Sequence, residues 1–199
     1  MRQRGFTLVE LMVTLTILVL LLLAVAPGIG TWLDNTRIRN EGDSIMTGLQ
    51  TARAEAVRRN KNVSFWLVHL TDPATLANDC TVSTTGTDGS WMVSINSPEG
   101  YCAIAPSPTN TPMIVSGRPM GGDSAKVSVK AIQSGGTAAN TVTFNGFGRV
   151  SNSGAVTEFD LDGTGSGTYR KLHVMVTTMG SVRLCDPDTH LNANDPRKC

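Results

Sequence analysis

Phe6-Thr7-Leu8-Val9-Glu10-Leu11-Met12-Val13-Thr14-Leu15-Thr16-Ile17-Leu18-Val19-Leu20-Leu21-Leu22-Leu23-Ala24-Val25-Ala26 is a run of 21 residues with one charged side chain. From Ile17 to Ala26 it is unbroken apolar sequence. A bilayer core needs about 20 apolar helical residues, so the run can span one. Met1-Arg2-Gln3-Arg4 in front of it is positive. Such a flank is expected to stay cytoplasmic, with everything after Ala26 on the other side. A cleaved secretory signal is the rival reading, and Ala24-Val25-Ala26 has the form of its cleavage site. Three features argue against it. Glu10 sits inside the run, where a carboxylate costs about 2.5–3.5 kcal/mol at mid-bilayer and less near an edge. Pro27 would follow the cut directly, and the helical pattern continues beyond it.

Pro27, Gly28 and Gly30 come just past the apolar run. Proline removes a helical hydrogen bond and crowds the preceding turn, so a kink or a local melt is expected over 27–30. From Trp32 to Asn60 the pattern becomes amphipathic. Ile38, Ile45, Leu49, Ala52 and Ala56 follow helical spacings on one face. Arg37, Arg39, Asp43, Arg53, Arg58 and Arg59 lie mostly off it. Residues 6–60 would form a rod of about 80 Å at 1.5 Å per residue, bare in its first half and docked in its second.

The front of the chain, Gly5-Phe6-Thr7-Leu8-Val9-Glu10, resembles the leader of type IV prepilins. The resemblance implies cleavage after Gly5 by a prepilin peptidase and N-methylation of Phe6. It also implies an assembly role for Glu10, which would offset the positive amine of a neighbouring subunit's Phe6. The alternative for Glu10 is a carboxylate reaching for the membrane interface. Leu49-Gln50-Thr51-Ala52-Arg53-Ala54-Glu55-Ala56-Val57-Arg58-Arg59-Asn60 resembles the helix end of the GspH/FimT branch of pilin-like proteins. That branch includes minor pilins of type IV pili and a minor pseudopilin of type II secretion. Thr143-Phe144-Asn145-Gly146-Phe147-Gly148-Arg149-Val150 and the run from Arg170 to Pro187 resemble strand pairs of the same branch.

The whole chain has 17 basic and 16 acidic side chains, 40% hydrophobic residues and 5% aromatics. The composition excludes general disorder, and a net charge near zero excludes nucleic-acid binding through bulk charge. After Asn60 the periodicity changes to two, at Val63–Val68, Lys126–Ala131 and Lys171–Val176. Further short strands are expected near 91–95, 141–144, 148–150, 156–161 and 181–185. Gly, Pro, Asn and Asp clusters separate them. The fold expected is α+β: a prepilin leader over 1–5, a helix over 6–60 that is transmembrane to about 26, and an antiparallel β-sheet head over 61–199.

Cys80, Cys102, Cys185 and Cys199 all follow the apolar run. An even count outside the cytoplasm suggests two disulfides. Three pairings exist, and the local one, Cys80–Cys102 with Cys185–Cys199, would tether two long polar segments. No C-x-x-C or H-x-x-x-H spacing supports zinc, so no metal and no cofactor is expected. His69, His173 and His190 lie in no nucleophile motif. Gly163-Thr164-Gly165-Ser166-Gly167-Thr168 lacks the ending of a phosphate loop. Asp160-Leu161-Asp162-Gly163 lacks the terminal Glu of a calcium loop. No sequence feature points to an enzyme.

The expected partners are other pilins or pseudopilins through the N-terminal helix, the prepilin peptidase and inner-membrane lipid. DNA is a further candidate, bound weakly. A hairpin of strands 171–177 and 181–185 would bury Leu172, Val174, Val176, Val182 and Leu184. Lys171, His173, Met175, Ser181 and Arg183 would face outward, with Arg149 approaching from another turn. Lys171, His173, Arg183 and Arg149 are therefore the candidate DNA contacts, made to backbone phosphates and dependent on salt. The related branch carries a G-R-x-R motif there. This chain has Gly180-Ser181-Val182-Arg183, one arginine short. The reading is a minor pilin, single-pass in the inner membrane of a bacterium with a periplasmic head, then part of a pilus. The alternatives are a pseudopilin of type II secretion and a DNA-binding minor pilin for natural transformation.

Overall fold

Thr7 opens the helix by lending its hydroxyl to the backbone N–H of Glu10, while Glu10 accepts from the Thr7 backbone N–H. This reciprocal pairing satisfies two donors that a helix start leaves unpaired. The helix, α1, is Leu8–Arg59. The computed structural model describes residues 7–122, 126–165, 167–188, 191–192 and 194–199, without the side chains of 24–29. Gly5, Phe6 and His190 lie outside the described residues. The helical backbone continues through Pro27, Gly28 and Gly30, so of the kink or local melt expected there the melt does not occur. One proline removes one hydrogen bond, and the leucine-rich turns before it have strong helix preference. Asn60 ends the helix in the left-handed region at φ 51°, its N–H reaching the carbonyls of Ala56 and Val57. Asn tolerates that conformation better than most residues with a Cβ.

Nine strands follow: β1 Val63–His69, β2 Thr81–Val82, β3 Trp91–Ser94, β4 Ile114–Arg118, β5 Val127–Gln133, β6 Thr141–Phe144, β7 Val156–Gly163, β8 Leu172–Val176 and β9 Val182–Cys185. They form two antiparallel sheets where the sequence suggested one. In the first, β1 pairs with β3 on one side and with β6 and β2 on the other, and β4 extends it past β3. The second has the order β5-β7-β8-β9. Residues 148–150 are not a strand; only Val150 bridges back to Phe144. Strands β2 and β4 were not expected.

The second half of α1 unites the sheets. Ile38, Ile45, Leu49, Ala52 and Ala56 are fully buried and share one core with Val63, Phe65 and Leu67 of β1 and Phe159 and Leu161 of β7. Two helical glycines set the approach. A Cβ on Gly42 would stand 2.9 Å from Leu184 Cδ1, and one on Gly48 would stand 2.7 Å from Phe65 Cε2. A smaller core of Val68, Leu70, Met92 and Ile114 lies on the opposite face of the first sheet, around the Cys80–Cys102 bridge.

Candidate functional site

Two surfaces carry the residues singled out by sequence. The first is the stem. Every described large apolar residue from Leu8 to Leu23 is exposed, on all sides of the helix. Leucine and valine pointing every way cannot be buried by one sheet; such a helix belongs in lipid or among other helices. Among the described residues no helical stretch is long and apolar enough to cross a membrane. Within the stem, Glu10 Oε2 accepts from both the backbone N–H and the hydroxyl of Thr7, each at 3.1 Å. The carboxylate that sequence reading assigned to a neighbour is thus held at the start of its own helix, where it also complements the helix dipole.

The docked half is fixed by polar clasps as well as by packing. Ser44 accepts from Trp91 Nε1 at 2.9 Å, and Arg53 donates from Nε to the Gly148 carbonyl at 3.0 Å. Glu55 pairs with Arg58 and Arg59 at 2.7 and 2.6 Å. The hydrogen bond from Arg58, joined by that from Arg59, holds the Glu55 carboxyl below its ordinary range against the opposing effect of burial.

The second surface is the final hairpin. β8 and β9 pair as Met175 with Arg183 and Val176 with Val182, the expected register. Leu172, Val174 and Val176 are buried, while Lys171 and Arg183 are exposed. The candidate phosphate contacts do not form one free cationic track. Strand β7 places Glu158, Asp160 and Asp162 on the same side, beside β8. Lys171 Nζ is 2.7 Å from Asp162, and His173 lies 3.0 Å from Glu158 and 3.3 Å from Asp160. The hydrogen bond to Asp162 raises the Lys171 pKa above its ordinary value. Arg149 and Arg183 are exposed and make no ion pair among the described residues. Arg149 belongs to a turn that touches the β8–β9 turn, since Val150 N–H donates to the Thr178 carbonyl at 3.1 Å. The β7 carboxylates were legible as an alternating trio; that they face β8 depended on strand order.

Cys80 is joined to Cys102 and Cys185 to Cys199. The second bridge ties a tail that also returns to Asp186: the Asp186 N–H donates to the Arg197 carbonyl at 2.6 Å, and the Cys199 N–H to the Asp186 carbonyl at 3.1 Å. The buried Asp186 carboxylate takes Arg170 at 2.7 Å. In the tail the hydrogen bonds from the Arg197 side chain and N–H lower the Asp195 pKa to about 2. Among the described residues no cluster of His, Cys, Asp and Glu is placed to hold a metal ion.

The family model described as type II transport protein GspH matches residues 41–180, from the docked helix to the last hairpin turn. The chain belongs to the GspH family. The model of the prokaryotic N-terminal methylation motif matches residues 1–26 of this GspH-family chain. It is therefore a pilin-like protein, a minor pilin or pseudopilin. No curated protein matches it significantly. It is similar to the type IV minor pilin FimU of Pseudomonas aeruginosa in two crystal forms, at 15% identity in both. The first comparison covers 77% of this chain and 91% of that one with a TM-score of 0.46. The second covers 73% and 90% with a TM-score of 0.43.

Proposed function

We propose that this GspH-family chain is a minor pilin of a type IV pilus. It would sit in the inner membrane by its stem, with the head in the periplasm, and then enter the filament or its tip. The observation that carries the reading is the division of one helix: its second half is buried in the head, and its first half, over the described side chains from Leu8 to Leu23, is apolar and bare all round. Lipid covers such a stem before assembly, and the stems of other pilins cover it afterwards.

In this reading the prepilin peptidase cuts after Gly5 and Phe6 is methylated. Glu10 then exchanges its Thr7 bonds for a neighbour's Phe6 amine. Opposite charges 4 Å apart attract by about 4 kcal/mol at an effective dielectric of 20, enough to set the register of one stem against the next. A pseudopilin of type II secretion is the second reading, favoured by the description of the matched family. A DNA-binding role is weaker, because two of its four expected contacts are already paired with carboxylates.

The test is mass spectrometry of the chain from membranes and from sheared pili. A methylated Phe6 start in both fractions supports the pilus. A Phe6 start in membranes alone, with secretion lost on deletion, supports the pseudopilin. A start at Pro27 sinks both. The Glu10→Ala variant should be cleaved and kept in the membrane but be missing from the filament fraction.

A further inference from the structure

The head carries two exposed surfaces of opposite character. The first lies where the end of α1 meets two turns. Phe147 is 84% exposed, Met179 60% and Val57 52%. They come from three elements but stand together. A Cβ on Gly148 would lie 3.2 Å from Val57 Cγ2, and Gly180 abuts the Gly148 carbonyl. Arg149, next to Gly148, and Arg183, three residues past Gly180, are both exposed and make no ion pair among the described residues. Phe, Met and Arg are the residue types enriched where proteins bind proteins.

The second surface surrounds the Cys80–Cys102 bridge. Tyr101 is 49% and Ile104 37% exposed. Asp79 and Glu99 are exposed beside them and make no ion pair among the described residues. Gly100 N–H donates to the Cys80 carbonyl at 3.0 Å, and Ala103 N–H to Asn78 Oδ1 at 2.9 Å, which fixes the two loops to each other. Residues 62–117 contain Asp72, Asp79, Asp88 and Glu99 but no Lys or Arg.

The two surfaces cannot meet within one chain. The first adjoins Phe144, which pairs with Val63 at the start of β1. The second is held at Cys80, next to Thr81, which pairs with His69 at the end of β1. Six residues of strand separate those points by about 20 Å. Each surface is apolar at its centre, and the charges at their rims are opposite.

We propose that these surfaces bind each other head to tail, the Phe147–Met179 face of one copy against the Tyr101–Ile104 face of a second copy. Arg149 would stand against Glu99 or Asp79. Two different patches joined in this way give an open, repeating contact and not a closed pair. The apolar centres favour a protein occupant over nucleic acid, which would need more free cations than two. This contact uses only the heads and does not depend on the pilus reading.

The test places the photo-cross-linker benzoylphenylalanine at position 147 of the full chain in mild detergent at low salt. Irradiation should join residue 147 to the peptide 99–104 of a second copy. Glu99→Arg should abolish that product, and adding Arg149→Glu to it should restore it. All three positions are exposed, so intrinsic Trp fluorescence should stay unchanged and certify folding. Cross-links only through the stems, cross-links only to other parts of the head, or no cross-linked copy would each overturn the proposal. So would nucleic acid retained through Phe147 in its place.

Discussion

Three glycines on α1 predict three different outcomes for one substitution. Glycine to alanine in a helix gains about 0.8–1.0 kcal/mol from propensity. At Gly30 nothing lies within 4 Å of the added Cβ, so the gain stands alone. At Gly42 the obstacle is Leu184 Cδ1 at 2.9 Å, the free end of a half-buried side chain that can rotate. There gain and cost should nearly cancel. At Gly48 the Cβ meets Phe65 Cε2 at 2.7 Å and Trp91 Cδ2 and Cε3 at 3.0 Å. These rings cannot retreat. Their centroids are 5.7 Å apart, Phe159 braces Phe65 edge-on at 5.8 Å, and Trp91 is tethered to Ser44. Overpacking a rigid core costs about 1–3 kcal/mol. Taking the upper end here and subtracting about 1 kcal/mol of propensity leaves a net loss of about 2 kcal/mol. For a chain of this size that lowers Tm by about 4–8 °C. Thermal unfolding of the full chain in mild detergent, followed by Trp fluorescence, gives the order Gly30→Ala above wild type and Gly48→Ala below. A Gly48→Ala variant as stable as wild type would refute the claim that these two aromatic rings set the closeness of helix and sheet.

Acid should fray the end of the helix. Glu55 has a lowered pKa, so its contribution is present above the unfolded value of about 4.3 and fades as pH falls below it. Hydrogen exchange should show the amides of residues 56–60 losing protection as pH falls from about 6 to about 3, after correction for intrinsic rates. Cys199→Ser should free the tail. A bridge closing a segment of 14 residues adds about 3 kcal/mol, so protection should drop over 186–199 while β8 and β9 keep theirs. In low-salt gel shifts, Lys171→Gln should leave any DNA retention unchanged, since Asp162 already holds that ammonium. Arg149→Gln with Arg183→Gln should reduce it, and a dominant effect of Lys171 would overturn the reading of the β7–β8 ion pairs.

The docked face of α1 was readable because helical spacing is local. Ile38, Ile45, Leu49, Ala52 and Ala56 announce it, and all five are buried. The β8–β9 hairpin was readable for the same reason: a short turn fixes its register. The division into two sheets was not, because β1 pairs with β6 some 75 residues away and nothing local selects that partner. β2 is only two residues long, and β4 follows a Pro- and Thr-rich stretch whose Met113 has a φ of 59°. Neither shows alternation over enough residues to stand out. On the hairpin, the basic residues were visible but not their neutralisation. Glu158, Asp160 and Asp162 alternate in plain view, yet only the order β7-β8 brings them to His173 and Lys171.

The Gly148 carbonyl has a mechanical consequence. It accepts from Arg53 near the end of the helix, belongs to the turn leaving the first sheet, and is abutted by Gly180 in the last turn of the second. A tension applied through the stem travels along α1, and this junction lies at the far end of it. The load is shared by both sheets before any one strand bears it alone. Because the helix lies along its contacts from Ile38 to Ala56, that pull acts in shear, and the contacts resist together where peeling would break them one turn at a time.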